Sequence, residues 1–416
     1  MLKLADFKLN NIAVRLSSAW KLQSASPLRT AILVMFCYAA LVTPSFVYNH
    51  MDFSLFIVAG DKFVSPDKSA GPIIIEKNSF GYDGQFFYRF ALAPFRFEDP
   101  AFGIHIDNPE KRMSRIVYPL ISWVVALGQS AYVPLAMFAV NIAGLGIIGA
   151  LLSAFARKFV WLEVAIAPIL IWPGLFVALR RDTAEIVTIV FILSALLNYM
   201  SQRRLLYAVF ASCAILTRES AAPVFAGLLL WEACATWRDN SHWPALIYST
   251  LLFVPFALWR FVSFLIWHSS SSKYGFEHDV GWPFVGVFRM IYLNISGERH
   301  WSDYKILDVL FQFSVVVSAI LLIAFFSFVF IRGVATSIKD GGPSALFASW
   351  LPTAGLMSVL TASGPWIEPF AYYRALTECY VVGCLAMASG GFRFDTKLYR
   401  IALLAGLADS YLWFAL

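Results

Sequence analysis

Charged side chains are scarce in this chain of 416 residues: Asp, Glu, Lys and Arg make up 14%, against 59% hydrophobic residues. A soluble globule needs more polar surface than this, so lipid is the expected solvent and a soluble protein is excluded. The net charge of +6 comes from basic residues scattered among apolar runs. This distribution excludes nucleic acid as a partner and fits contact with membrane lipids.

The sequence also lacks the local motifs of several enzyme classes. It contains no P-loop, no dinucleotide glycine fingerprint and no nucleophile elbow, which argues against ATP-driven transport and hydrolase chemistry. The five cysteines fall inside apolar runs, and the histidines show no metal-ligand spacing. A disulfide framework and a zinc site are therefore not expected.

Apolar runs long enough to cross a bilayer recur from residue 28 to the last residue. They predict an all-α integral membrane protein with a single domain, residues 1–416, built as a bundle of about eleven transmembrane helices. The predicted spans are 28–49, 131–156, 160–178, 183–201, 205–218, 221–237, 244–267, 306–331, 344–363, 372–389 and 399–416.

Loop charge predicts the orientation. With the N-terminus in the cytoplasm, every short inner loop is basic, as the positive-inside rule requires. Two long segments, 50–130 and 268–305, then lie outside. The first contains an aromatic amphipathic stretch and the apolar run 116–127, both expected to lie on the membrane surface as interfacial helices. The second is expected to form a lid or pocket wall.

The strongest local feature is the segment 81–89, Gly-Tyr-Asp-Gly-Gln-Phe-Phe-Tyr-Arg. A carboxylate between two glycines, Asp83, opens an aromatic helix there, and the helix dipole favours its ionised form. An N-cap in a surface turn explains the same spacing.

Charged residues also mark the outer ends of three spans. Such charges are costly beside hydrocarbon and by default indicate function. The guanidinium fork binds phosphate bidentately, so three arginines at one face fit an anionic lipid headgroup. The alternative is structural, with the arginines reaching headgroups or pairing with nearby carboxylates. The arginines are Arg181, Arg218 and Arg374, and the carboxylates are Asp182, Glu219 and Glu378.

These segments resemble a known family. The order of GYDGQFFYRFALAPF, RIVYPLISWVVALG, AFARKF, LRRDTAEI and AILTRESA is similar to the GT-C class of polyprenyl-phosphate-sugar-dependent membrane glycosyltransferases. The first segment resembles more narrowly a bacterial family, of the YDGQFYY type, associated with cell-surface glycopolymer formation. The resemblance covers roughly residues 28–230; the remainder matches only as a string of spans.

The resemblance implies that Asp83 is the catalytic acidic residue of the first outer loop. It also implies that Arg218 is the basic residue after the threonine of the fifth span, and Asp182 a second acidic residue. Where relatives carry two adjacent acidic residues, this chain has Asp83-Gly84, so metal dependence is not inherited. No cofactor is certain, and a divalent metal stays open.

Together these features predict an inverting glycosyltransferase of the bacterial inner membrane with a periplasmic active site. Asp83 would be the general base, and Arg181, Arg218 and Arg374 would hold the phosphate of a polyprenyl-phosphate-linked sugar donor. The acceptor would be a glycan or a lipid. The residues expected in supporting roles are Asp182, Glu219, Tyr82, Gln85, Tyr88 and Asp107.

Three points stay open at this stage. The donor's lipid tail is expected against a wall formed by Phe86, Phe87, Phe90 and Phe95, although docking of an amphipathic helix explains these residues equally well. A polymerase or ligase that uses a lipid-linked oligosaccharide would share the chemistry of the outer face. A flippase or transporter of lipid-linked sugars would use the same arginines, but should carry ionisable groups near mid-membrane.

Overall fold

The computed structural model describes residues 26–65, 71, 73–158, 163–267, 280–298, 305–361, 365–366, 371–390, 404, 406–408 and 411. Over these residues the protein is nearly all α-helical. Two-residue strands, β1 Ala59–Gly60 and β2 Ile75–Glu76, pair in parallel within the first loop. The helices are α1 Pro27–Tyr48, α2 Asp83–Leu92, α3 Pro109–Met113, α4 Val117–Val125, α5 Val133–Lys158, α6 Glu163–Leu170, α7 Pro173–Arg180, α8 Glu185–Met200, α9 Arg204–Thr217, α10 Ala222–Arg238, α11 Trp243–Leu251, α12 Val254–Trp267, α13 Val285–Ile295, α14 Lys305–Asp340, α15 Ala345–Val359, α16 Ala371–Ala375 and α17 Thr377–Ser389.

Several helical stretches are strongly apolar. Among the described residues, Pro27–Tyr48, Ser130–Arg157, Asn240–Trp267 and Lys305–Asp340 are long and apolar enough to cross a membrane, and shorter apolar helices accompany them. This architecture is compatible with a membrane-embedded helical protein. The number of spans and their orientation stay predictions.

Prolines divide two of the predicted spans. The stretch 160–178 contains α6 and α7, and Pro173 is the first residue of α7. The stretch 244–267 contains α11 and α12, and Pro255 is the second residue of α12. Proline lacks the amide hydrogen that would continue a preceding helix, but it fits the first turn of a new one. Of the span expected at 399–416, the structure describes only residues 404, 406–408 and 411. Of the loop expected at 268–305, it describes 280–298 and 305, which include α13 Val285–Ile295.

The helices pack around one large apolar core. Helix α1 packs along α5, α8 along α9, α10 along α15, and α15 along α17. Just before α7, Trp172 stacks on Tyr380 of α17 with ring centroids 3.8 Å apart. Its indole nitrogen donates to the Thr377 hydroxyl at 3.1 Å. These contacts fix the start of α17, and the polar residues beside it, against the α7 segment.

Helix α2 lies inside the protein rather than on its surface. Its residues 84–92 are all buried. Phe87 joins an apolar cluster with α4 and α5, whereas Phe86 and Phe90 pack with Met113 and Trp267. The expectation of a surface helix is therefore wrong: the amphipathic pattern reflects packing on two sides.

Helix α4 keeps a two-faced arrangement. Tyr118 and Ser122 on one face are buried, whereas Val124 and Val125 are half exposed. Its position at a membrane interface stays a prediction.

Candidate functional site

Close backbone packing fixes the position of Asp83. Gly81 adopts a φ of +62°, a conformation that favours glycine. A Cβ on Gly84 would lie 2.5 Å from the carbonyl oxygens of both Arg181 and Ile57. The two glycines therefore hold Asp83, the first residue of α2, against the α7–α8 turn.

Gln85 completes this scaffold. Its side-chain oxygen accepts a hydrogen bond from the Gly60 amide at 3.1 Å, and its nitrogen donates to the Phe80 carbonyl at 2.8 Å. The predicted supporting role of Gln85 thus consists, in this structure, of tying together the backbone around Asp83.

Two arginines hold the Asp83 carboxylate, one on each oxygen. Arg112 donates to Oδ1 at 2.7 Å and Arg374 donates to Oδ2 at 2.8 Å. They lie 29 and 291 residues from Asp83 in the sequence. The Asp83 side chain is 19% exposed, so a small molecule can still reach it.

The charged contacts continue from Arg374 into the protein. Arg374 lies 3.1 Å from Glu185, which lies 3.3 Å from Arg218. Arg218 in turn donates to Glu378 at 2.6 Å. Alternating acids and arginines therefore connect Asp83 to Arg218 without intervening apolar packing.

The positions of these charged residues at helix ends explain how their charges are stabilised. Asp83, Glu185 and Glu378 lie in the first turns of α2, α8 and α17. Arg218 caps the C-terminus of α9, and Arg374 lies in the last turn of α16. Acids at N-termini and cations at C-termini complement the helix dipoles. Convergence of these ends at one place assembles the cluster.

Arg181 joins the cluster through Tyr82. The guanidinium of Arg181 lies 4.0 Å from the centroid of the Tyr82 ring, and that of Arg374 lies 4.7 Å from it. Both are cation–π distances. Tyr82 thus gathers two guanidinium groups beside Asp83, and all three predicted arginines belong to one cluster.

Opposing effects act on Asp83. Burial raises the pKa of its carboxyl, but Arg112, Arg374 and Arg115 outweigh burial and hold the pKa well below its usual range. Asp83 is therefore ionised in this arrangement, and as a base it is weak until one of its arginines is engaged elsewhere.

Asp182 lies apart from the arginine chain. Its Oδ1 accepts from Asn141 at 3.1 Å and is 3.4 Å from the Tyr118 hydroxyl, inside the protein. Burial raises the pKa of Asp182 to about 8, with the hydrogen bonds opposing it. Its φ of +44° belongs to the tight turn between α7 and α8. The hydrogen bonds of Asp182 thus go to Asn141 and Tyr118 rather than to the arginines that hold Asp83.

The other expected supporting residues have definite partners. Asp107 binds Arg112 through two contacts of 2.9 and 2.7 Å. Glu219 binds Arg115 at 2.8 and 2.5 Å. Tyr88 is buried in the apolar cluster of the first loop, away from the charged chain.

Sequence reasoning missed two arginines. Arg112 and Arg115 lie directly before the apolar run that becomes α4, where clustered cations look like ordinary solvated charge. Their spacing of three residues could have indicated one shared helical face. In the sequence Glu185 is only one more charge near the start of the predicted span 183–201, yet in the structure it joins Arg374 to Arg218.

Some polar atoms of the cluster have unused hydrogen-bonding capacity. Within the described part of the chain, Arg374 Nε, Glu378 Oε2 and both carboxylate oxygens of Glu185 are buried without a hydrogen-bond partner. The Glu185 contacts are thus charge contacts rather than aligned hydrogen bonds. Across the residues that the structure describes, no group of three or more His, Cys, Asp or Glu is placed to hold a metal ion.

Comparison with protein-family models, with curated proteins and with solved structures finds no match to this chain.

Proposed function

We propose that this protein is an inverting glycosyltransferase that moves a sugar from a polyprenyl-phosphate donor to an acceptor hydroxyl during cell-surface glycopolymer or glycolipid biosynthesis. The observation that carries the proposal is the Asp83 carboxylate, which lies at 2.8 Å from Arg374 in a partly open cluster containing Arg181 and Arg218. The sequence resemblance to GT-C enzymes supports the same assignment. We place the cluster on the periplasmic side, following the loop charges.

The reaction is a single displacement. The acceptor hydroxyl attacks the anomeric carbon of the sugar, its proton passes to Asp83, and the bond from that carbon to the phosphate oxygen breaks. Polyprenyl phosphate leaves with the electron pair. Attack from the face opposite the leaving group inverts the anomeric configuration.

In this proposal the arginines stabilise the leaving group. A departing phosphate needs cationic stabilisation more than it needs a proton, and preorganised guanidinium groups in a poorly hydrated site supply it. Arg374 is the central cation, because it contacts Asp83, Glu185 and Tyr82 at once. Its buried Nε has no hydrogen-bond partner among the described residues and suits a phosphate oxygen.

Donor binding also prepares the base. When a phosphate engages Arg374, that guanidinium no longer serves the Asp83 carboxylate alone. The pKa of Asp83 then rises toward its usual range, because one of the charges that hold it down is shared. Proton abstraction is thereby coupled to the presence of the donor.

The donor's lipid tail needs a place other than the one expected from sequence. Phe86, Phe87 and Phe90 are buried in packed clusters, and Phe95 is exposed. A cavity of about 310 Å³ between α13, α14 and α15 is lined almost entirely by apolar side chains, including Leu376. Leu376 lies two residues after Arg374, so we assign this cavity to the tail.

The test is sugar transfer by the purified protein in liposomes. With a radiolabelled single-sugar polyprenyl-phosphate donor, the wild type should extend the acceptor by one unit. Asp83→Asn should lower turnover by about 10²–10⁴-fold, as expected for loss of a positioned base. Glu98→Gln is the matched control, since Glu98 is an exposed acid of the same loop paired with Arg96.

Other outcomes identify the rival functions. Transfer only from a lipid-linked oligosaccharide would indicate the polymerase or ligase. Movement of a labelled lipid-linked sugar between leaflets without any transfer would indicate the flippase. Normal turnover in Asp83→Asn would refute the role of Asp83 as base.

A further inference from the structure

Arg112 reaches the proposed base from the side opposite Arg374. It belongs to α3, a helix of five residues in the first loop, and its guanidinium lies 4.3 Å from the ring centroid of Phe86. From there it donates to Asp83 Oδ1 at 2.7 Å. Only 15% of the Arg112 side chain is exposed, so this cation covers one side of the carboxylate.

That contact obstructs the proposed reaction. Asp83 Oδ2 already accepts from Arg374, whose place is with the donor phosphate. The acceptor hydroxyl must approach within hydrogen-bond reach of the base before its proton can move. Oδ1 is the oxygen on the other side, and Arg112 occupies it.

Arg112 can leave Asp83 without becoming an isolated charge. Its Nε and one terminal nitrogen donate to the two oxygens of Asp107 at 2.9 and 2.7 Å. Such a two-point contact is the strong geometry for an arginine and a carboxylate. A partly buried charge without a partner is destabilising, and the pairing with Asp107 prevents this when Arg112 leaves Asp83.

The surrounding loop is anchored on both sides of Arg112. Glu110 accepts from Arg260 of α12 at 2.6 Å, and the Met113 carbonyl accepts from Trp259 at 2.8 Å. Further along, Arg115 is paired with Glu219. Release of Asp83 by Arg112 therefore needs only a side-chain movement, with α3 remaining docked.

We propose that Arg112 is a latch on the acceptor side of the site: at rest one of its terminal nitrogens occupies Asp83 Oδ1, and the acceptor hydroxyl displaces that nitrogen while Arg112 stays paired with Asp107. The inference rests on the proposed function and adds a regulatory step to it. The Arg112 latch makes Asp83 available only when an acceptor is bound, which protects the donor from hydrolysis by water.

The test combines two substitutions. Arg112→Gln removes the latch charge, and Asp107→Asn weakens the partner that keeps Arg112 paired when it releases Asp83. Asp107→Asn alone should hold Arg112 on Asp83 and lower kcat/KM for the acceptor by about tenfold, the equivalent of about 1.4 kcal/mol. In the Arg112→Gln background the same substitution should have no further effect, because contacting residues that act together are not additive. Equal effects in both backgrounds would overturn the latch.

A second measurement does not depend on sugar transfer. Carbodiimide labelling of the Asp83 carboxyl, read by peptide mass spectrometry, should rise on the order of tenfold in Arg112→Gln, because loss of this neighbouring cation raises the pKa of Asp83 and uncovers its Oδ1. Arg112→Lys keeps the charge and should change labelling less. Arg96→Gln is the control, because Arg96 pairs with the exposed Glu98 in the same loop.

The two measurements separate the two proposals. A wild type that transfers no sugar, with strong labelling of Arg112→Gln, counts against the glycosyltransferase and supports the resting contact. Labelling of Asp83 that is the same in wild type and Arg112→Gln overturns the latch, whether or not sugar is transferred.

Discussion

Asp182 gives a sharp test of the site's electrostatics, because the structure and the resemblance assign it different roles. It is fully buried, one of its oxygens is near Asn141 and Tyr118, and the other has no hydrogen-bond partner within the described residues. Burial raises its pKa from 3.8 to about 8, against the effect of its hydrogen bonds. The structure therefore makes Asp182 a neutral carboxyl group at neutral pH.

The sign of the pH effect follows from proton linkage. In the unfolded chain Asp182 ionises above pH 3.8, whereas in the folded protein it keeps its proton up to about pH 8. The folded state then binds more protons than the unfolded state, so stability falls as pH rises through this window and levels off above it. Each pH unit in this window lowers the free energy of unfolding by about 1.4 kcal/mol. At pH 7 the protein is therefore about 4 kcal/mol less stable than it would be if Asp182 had its ordinary pKa.

The assay is thermal unfolding in detergent, followed by tryptophan fluorescence at several pH values. The amide introduced by Asp182→Asn has the shape of a protonated carboxyl and does not titrate, so the advantage of this variant over wild type should grow between about pH 4 and pH 8. Asp340→Asn, a change at an exposed position, should show a constant difference. Sugar transfer should survive Asp182→Asn, since Asp182 does not touch Asp83.

Infrared spectroscopy gives an independent check. The wild type should show the carbonyl band of a protonated, buried carboxyl group at neutral pH, and Asp182→Asn should lack it. A stability difference that does not change with pH, or loss of sugar transfer in a folded Asp182→Asn protein, would refute the reasoning and return Asp182 to the supporting role of a second acidic residue that the resemblance implies.

Three further perturbations test other parts of the structure. Gly84→Ala should destabilise the protein by about 1–3 kcal/mol in thermal unfolding and lower sugar transfer. The reason is that the new Cβ would lie 2.5 Å from the Arg181 carbonyl oxygen. Wild-type stability and activity in this variant would contradict that packing. Glu378→Gln should cost about 1–3 kcal/mol of stability, less than a fully stranded buried charge, because Arg218 keeps a second carboxylate; a larger loss would show that the second contact contributes nothing. Gly355→Phe should fill the apolar cavity, where a Cβ meets nothing within 4 Å. It should raise KM for a long-chain donor and spare a short-chain one, and equal effects on both would exclude the cavity as the tail site.

The helices could be predicted from the sequence because each apolar run is bounded by charges or prolines. The first predicted span, 28–49, corresponds to α1 Pro27–Tyr48, and the span 183–201 corresponds to α8 Glu185–Met200. The division of two spans by Pro173 and Pro255 was visible in principle. It was missed because hydropathy averages across a single proline.

The site could be predicted only as a set of charged span ends. Pairing of Asp83 with Arg374 spans 291 residues, and no local pattern determines such a contact. The inward direction of Asp182 follows from its positive φ, which sequence does not reveal although aspartate tolerates it. The burial of α2 was missed because an apolar face looks the same whether protein or lipid covers it.

The charge balance of the cluster limits what can bind there. Five arginines, Arg112, Arg115, Arg181, Arg218 and Arg374, meet five carboxylates, those of Asp83, Asp107, Glu185, Glu219 and Glu378. A neutral ligand gains little from the ion-paired arginines, because a contact with any of them weakens an existing ion pair. An anion can instead use the buried Nε of Arg374, which has no hydrogen-bond partner within the described residues, and the guanidinium of Arg181 above the Tyr82 ring.

Polyprenyl phosphate should therefore inhibit sugar transfer in competition with the donor. The matching polyprenol has the same tail and no charge, and it should inhibit at least about tenfold more weakly. This difference agrees with about 1.5–3 kcal/mol for a hydrogen bond to a charged group. Arg374→Gln should remove most of this discrimination, because Arg374 contacts the proposed base directly and lies two residues before Leu376, which lines the cavity assigned to the tail. The measurement is the inhibition constant of each lipid against wild type and variant in the same liposomes. Equal inhibition of the wild type by both lipids would show that the tail alone drives binding, and the arginine cluster would then be structural.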